Sequence, residues 1–206
     1  MVTFPSFFFL LLSAFAIFFS TSDAMPFEKQ QIVNTALAAI AHPSIDNLNF
    51  SNEQKLLNEV RALLEKEKYN VLTADLLQPD AVQIKGKIES WLANPNINTI
   101  FIFGGTTVEE GNIAHKTLLP LIKEEFSSFQ SLYTQVNWDN AGALLLDQNV
   151  HAGLNGKTFI FLLPNSRKEA QTAIEKIILP QIRNLLAQVN TRQNSEENTN
   201  NETTKQ

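Results

Sequence analysis

The sequence predicts an α/β fold, a three-layer sandwich with a mostly parallel central sheet. Thr99–Phe103 (TIFIF) and Lys157–Leu163 (KTFIFLL) are short, nearly unbroken apolar runs, the pattern of parallel strands covered on both faces. Around them lie segments with apolar residues at helical spacing, opened by capping residues, so that strands alternate with helices.

The elements follow in order. Ile32–Ile40 is apolar and ends at Ala41-His42-Pro43; it reads as a first strand or a short helix. Ser51 with Gln54 forms a capping-box pattern ahead of Leu56, Val60, Leu63 and Leu64. Asn70–Leu76 reads as a strand, and Asp80 caps a helix with Ile84, Ile88, Trp91 and Leu92 on one face. After Thr99–Phe103 come two glycines, then a helix over Ala114–Phe126 that Pro120 should kink or divide. Asn140–Val150 reads as a further helix, closed by Ala152-Gly153 and a turn at Asn155-Gly156. Ser166 caps a last helix reaching about Val189, and the polar stretch 190–206 reads as a disordered tail. One domain over residues 27–189 accounts for the core.

Residues 1–24 stand apart. Phe7–Phe19 is too short for a membrane span but suits a signal-peptide core, and Ser22-Asp23-Ala24 offers a cleavage site, although no Lys or Arg precedes the run. The other reading is a mis-assigned start upstream of Met25. The first makes the protein exported, the second cytoplasmic.

Composition narrows the chemistry. The formal net charge is −5 and the basic residues are scattered, which argues against a nucleic-acid partner. With no cysteine there is neither a disulfide nor a thiolate nucleophile. His42, His115 and His151 show no metal-ligand spacing, and the last two read as solvated or capping groups, so no metal site is assigned. Glu109-Glu110 could hold magnesium beside a bound phosphate, or be a solvated acidic pair.

The strongest motif is Gly104-Gly105-Thr106-Thr107. A glycine pair directly after a buried strand lets a ligand approach backbone N–H groups, and it can equally be a plain tight turn. Pro164-Asn165-Ser166 follows the other apolar strand, either as an anion-binding helix start or as a simple cap. Parallel strands would present both turns at one sheet edge. Gly153–Thr158 imitates a nucleotide-binding P-loop but has His151 where the first glycine belongs, and a strand instead of a helix after the lysine.

From about Phe27 to Gln188 the chain resembles the MoaB/Mog family of molybdenum-cofactor biosynthesis proteins, which includes the molybdopterin adenylyltransferases. The resemblance rests on Gln78-Pro79-Asp80, Phe103-Gly104-Gly105-Thr106, Leu118–Ile122, Ala141-Gly142, Ala152-Gly153, Ile160–Pro164 with Ser166, and Ile178-Leu179-Pro180, all in family order. It implies a phosphorylated pterin or nucleotide held by Gly104, Gly105, Thr106, Thr107, Gly142, Asn165 and Ser166. It also implies molybdopterin and Mg-ATP as ligands, no permanently bound cofactor, and a homo-oligomer, trimer or hexamer. The departures fall on working positions: the loop's fourth glycine is Thr107, and the family's Arg-Asp pair is Gly111-Asn112. Asn112 thus stands where the resemblance places a catalytic aspartate. An amide cannot act as a base near neutral pH, so reduced or lost transferase activity is expected.

Overall fold

The computed structural model describes residues 32–42 and 51–203; the expected leader lies outside the described residues. The sheet has six strands in the order β2-β1-β3-β6-β5-β4. They are β1 (Val33–Ile40), β2 (Tyr69–Leu77), β3 (Thr99–Phe103), β4 (Glu124–Glu125), β5 (His151–Asn155) and β6 (Thr158–Leu163). The four strands β2, β1, β3 and β6 are parallel, and β5 and β4 extend the sheet antiparallel beyond β6. The region read as the first strand or a short helix is therefore a strand, central and almost wholly buried.

Alternation within the central strands builds the three layers. Phe101, Phe103, Phe159 and Phe161 point to one face, where they meet α1 (Ser51–Lys66), α4 (Phe129–Ala141), α5 (Arg167–Ala173) and α6 (Ile182–Thr203). Ile100, Ile102, Ile160 and Leu162 point to the other, under α2 (Ala81–Leu92) and α3 (Ile113–Leu118). A period of two along a strand buried on both sides favours apolar residues at nearly every position, which TIFIF and TFIFLL supply after their first, hydrogen-bonded threonines.

Asp80 caps α2 as expected, its Oδ1 accepting the Gln83 amide at 2.8 Å. The Ser51–Gln54 box is not made in that form: Gln54 Nε2 donates forward to Asn58 Oδ1 at 3.1 Å. Other expectations are corrected. The helix expected over Ala114–Phe126 stops at Leu118; Pro120 lies in a 3₁₀ turn, Leu119–Leu121, and the chain goes on into β4. The helix expected over Asn140–Val150 is instead α4 ending at Ala141, followed by a 3₁₀ turn from Gly142 to Asp147. Gly142, with φ 53° and ψ −125°, leaves helical geometry and breaks the run. Ala152-Gly153 does not close a helix but lies in the middle of β5; a side chain at Gly153 would run into Ile122 and the Glu124 carbonyl, so the close crossing of β4 demands glycine.

The single helix expected from Ser166 to Val189 is split. α5 passes into a π segment at Ile174–Ile178, and α6 begins at Ile182, after Pro180, which has no N–H to continue a helical ladder. α6 then carries the backbone through Asn190 to Thr203, where a disordered tail was expected.

Candidate functional site

β1 leads through α1 to β2 on one side, and α2 brings the chain back to β3 on the other, so the direction of winding reverses between β1 and β3. In open α/β sheets this switch point, at the carboxyl ends of the strands, is where ligands sit. The Gly104–Thr107 loop leaves β3 there. Gly104 N donates to Leu163 O of β6 at 2.9 Å. A Cβ on Gly104 would lie 2.9 Å from Ile40 O at the end of β1 and 3.5 Å from Asn165 Cβ after β6. Gly104 and Gly105 adopt φ of 88° and 67°, the left-handed region that glycine enters without strain. At Gly105 a Cβ would also collide with Ala114 Cβ at 2.8 Å, so the loop lies directly on α3.

These turns aim two consecutive N–H groups at one point, and Glu110 occupies it. Its Oε2 accepts from Thr106 N at 2.9 Å, Thr107 N at 3.1 Å and Thr107 Oγ1 at 3.0 Å. Glu110 N in turn faces Thr107 Oγ1 at 3.3 Å. This reciprocal exchange is a capping box, Thr-x-x-Glu, closed around a single turn. Its residues stand in the sequence as Thr107-Val108-Glu109-Glu110, but the box closes a single turn that Gly111 and Asn112 separate from α3, so it does not sit where a helix cap is sought. Glu110 is only 8% exposed, whereas Glu109 points outward toward His42 Nε2 at 3.8 Å. The two acids therefore diverge and do not share the magnesium position that their adjacency suggested.

Asn112 sits at φ 53°, a left-handed position that asparagine tolerates. Asn149 Nδ2 lies 2.9 Å from its Oδ1, and Asn149 N and Nδ2 also reach Thr106 O at 3.0 and 3.1 Å. With its amide turned over, Asn112 Nδ2 lies 2.6 Å from Thr106 O and 3.2 Å from Thr107 O and satisfies both acceptors. Asn112 is thus a donor that fastens the loop from beneath.

Asn165 Nδ2 donates to Glu53 Oε1 at 2.9 Å; Glu53, in the first turn of α1, is 2% exposed. Glu53 Oε2, Asn165 Oδ1 and Thr106 Oγ1 are buried without hydrogen-bond partners. Ser166 takes the N-cap position of α5 without a side-chain capping bond, so its hydroxyl is not spent on the helix. Gly142 stands differently: it ends α4, its N–H donating to Trp138 O, and no hydrogen bond among the described residues ties it to the loop. A groove of about 920 Å³ between α2 and α3, lined by Lys85, Glu89, Lys116 and Lys123 among others, contains none of the expected site residues.

The histidines are corrected too. His115 Nδ1 and His151 Nε2 are 2.9 Å apart, and His151 Nδ1 is 2.6 Å from Glu125 Oε1. In the tautomer that carries its proton on Nδ1, His151 donates a hydrogen bond to the Glu125 carboxylate and accepts at Nε2 from His115 Nδ1. Burial, with the neighbouring His151 adding to it, lowers the His115 pKa below its usual 6.5. Thirty-six residues separate the pair, and no sequence spacing signals it. Among the described residues no three His, Asp or Glu side chains converge as a metal-ligand group.

Comparison with known proteins agrees with this architecture. The chain is 27% identical over 143 residues to molybdenum cofactor biosynthesis protein B of Escherichia coli K12, covering 69% of this chain and 84% of that protein. It is 25% identical over 134 residues to the protein of that name from Staphylococcus carnosus, covering 65% and 75%. A crystal structure of molybdenum cofactor biosynthesis protein B superposes with TM-score 0.69 at 18% identity, over 79% of this chain and 98% of the other. The tungsten cofactor synthesizing protein MoaB of Pyrococcus furiosus gives 0.63 at 17% identity, over 77% and 98%. At these identities the structural likeness speaks for the fold. Residues 52–184 match the family model described as "Probable molybdopterin binding domain", and the chain belongs to that family.

Proposed function

We propose that the protein binds the phosphate of molybdopterin, or of a nucleotide, at the Gly104–Thr107 loop, with adenylyl transfer from ATP weakened or lost. One observation carries this reading: two adjacent backbone N–H groups and a hydroxyl converge on a single anionic oxygen at the switch point of the sheet. Preorganised donors of this kind suit a terminal phosphoryl oxygen. Asn165 and Ser166, at the end of the neighbouring strand, are the proposed second contacts, and Gly142 is retained only as a more distant one. The surroundings do not fit a catalytic magnesium site. Glu110 is engaged by the loop, and Asn112 offers an amide where a carboxylate would be needed to hold the ion or remove a proton.

Titration of the full chain with molybdopterin and with ADP, followed by incubation with Mg-ATP and molybdopterin, tests both halves. Binding with little or no adenylylated pterin is expected. Rapid turnover would overturn the loss of chemistry, and absence of binding to either ligand would overturn the site.

The relatives are cofactor-biosynthesis proteins by name, and a homo-oligomer, trimer or hexamer, is proposed on that footing. A specific observation also favours a second reading, a protein-interaction role outside the cofactor pathway. Trp138, Leu144 and Leu146, at and after the end of α4, are 60%, 73% and 94% exposed. Export through residues 1–24 belongs with that second reading, since an exported protein would not meet cytosolic ATP. Mass spectrometry of the native amino terminus, combined with cell fractionation, decides between the compartments.

A further inference from the structure

We infer that Glu110 is a built-in competitor for the anion seat of the loop, and that a ligand phosphate enters by displacing its carboxylate. The inference rests on the loop being the binding site and specifies how that site selects.

The seat is small. Thr106 N, Thr107 N and Thr107 Oγ1 all point at one oxygen, Glu110 Oε2, and Thr106 and Thr107 have no second carboxylate to choose from among their hydrogen bonds. It therefore reads a single anionic oxygen, as a terminal phosphoryl group can present, and does not wrap a whole phosphate chain. The competitor is covalently tethered three to four residues away. Its local concentration is fixed by the turn, and the fraction of molecules with a vacant seat sets the apparent affinity for any external anion. A charged acceptor makes hydrogen bonds roughly twice as strong as a neutral one, so the carboxylate's charge is what holds it in place.

Displacement asks little of the backbone. Gly111 N donates to Val108 O at 3.0 Å and Asn112 N to Thr107 O at 2.9 Å, so the turn is fastened by bonds that do not involve the Glu110 side chain. Open space surrounds the position a Cβ would take on the adjacent Gly111. Rotation of the Glu110 side chain frees two N–H groups and the Thr107 hydroxyl together. Two basic side chains on the neighbouring helices are already engaged: Lys116 Nζ is turned to Gly111 O at 2.9 Å, and Arg167 pairs with Glu59 at 2.6 Å. An incoming anion thus has Glu110 as its direct rival, with buried Glu53 adding to the negative field behind Asn165. Glu110 selects for ligands whose remaining contacts are strong enough to evict it.

Calorimetric titration of the full chain and its Glu110→Gln variant with inorganic phosphate, ADP and molybdopterin tests this. Glu110→Gln is expected to bind all three more tightly, by about tenfold or more, because the neutral amide holds the seat less firmly. If the unaltered protein binds and the variant binds no better, or worse, the competitor role is overturned while the loop remains the site. If neither protein binds any of the three, both readings fall. A second measurement needs no variant. On adding phosphate to the unaltered protein, the Thr106 and Thr107 amide resonances and the Glu110 side-chain carboxyl resonance should shift with one saturation curve; amide shifts with a stationary Glu110 carboxyl would overturn displacement.

Discussion

At Asn112 the structure asks for a donor. Thr106 O and Thr107 O both face its side-chain amide, so an aspartate there would set a carboxylate against two carbonyl oxygens. Asn112→Asp is therefore expected to destabilise the protein by about 1–3 kcal/mol in urea unfolding, and not to restore adenylyl transfer on its own. Recovery of turnover with unchanged stability would show that the loop is free to rearrange. Gly105→Ala combines a left-handed φ with contact against Ala114, and should cost at least about 2 kcal/mol by the same measurement. His115 gives a pH signature. Its pKa in the fold lies below the unfolded value of 6.5, so the unfolded chain binds the extra proton first. Its contribution is fully present above about pH 6.5 and is lost as pH falls through the folded pKa. Thermal melts should drop over that window. His115→Asn, whose amide can still donate toward His151 Nε2, should flatten the drop.

Among the elements, β3 is the best defined. Phe101 stacks on Phe161 with ring centroids 5.1 Å apart, deep in the face covered by α1, α4, α5 and α6. Phe101→Ala is expected to cost about 3–5 kcal/mol in denaturant unfolding, a large share of the stability of a domain this size. Strands of this kind were legible because burial on both faces makes nearly every position apolar, the polar exceptions being hydrogen-bonded threonines such as Thr99 and Thr158. α4 was not: its inner face is Phe129, Tyr133 and Asn137, a stripe in which a tyrosine and a buried asparagine conceal the helical period. β4 is two exposed glutamates, and β5 carries His151 and Asn155 at its ends, so neither shows a strand pattern; only tertiary pairing, of β5 with β6 and of β4 with β5, makes strands of them. The loop's position after β3 was readable, and so were the Thr107 and Glu110 residue types, but which of the two adjacent acids turns inward depends on the backbone turn.

At the scale of the whole molecule, Trp138, Leu144 and Leu146 form the exposed apolar region from the end of α4 into the turn after it. If the proposed oligomer uses it, Trp138→Glu with Leu146→Asp should reduce the assembly to single chains in light scattering while leaving the thermal unfolding of the monomer intact. An unchanged assembly size would move the interface elsewhere. The pairing of His115 with His151, and of His151 with Glu125, also belongs to this scale, since the chain of contacts joins α3, β5 and β4 and arises only when the sheet is complete.

The seat around Gly104 draws on the chain at widely separated places: Ile40 O lies under it, Asn149 fastens it, and Leu163 O holds its first amide. Parallel strands pair only after their crossovers have been made, and such non-local pairings form late. A nascent chain that has released β1, β2 and β3 still lacks the border strand β6, so the loop has no fixed shape while most of the protein has already been synthesised. Leu163 and Asn165 must be free of the ribosome before the loop can take its shape, so phosphate capture at this proposed site would have to wait for the border strand and the turn after it.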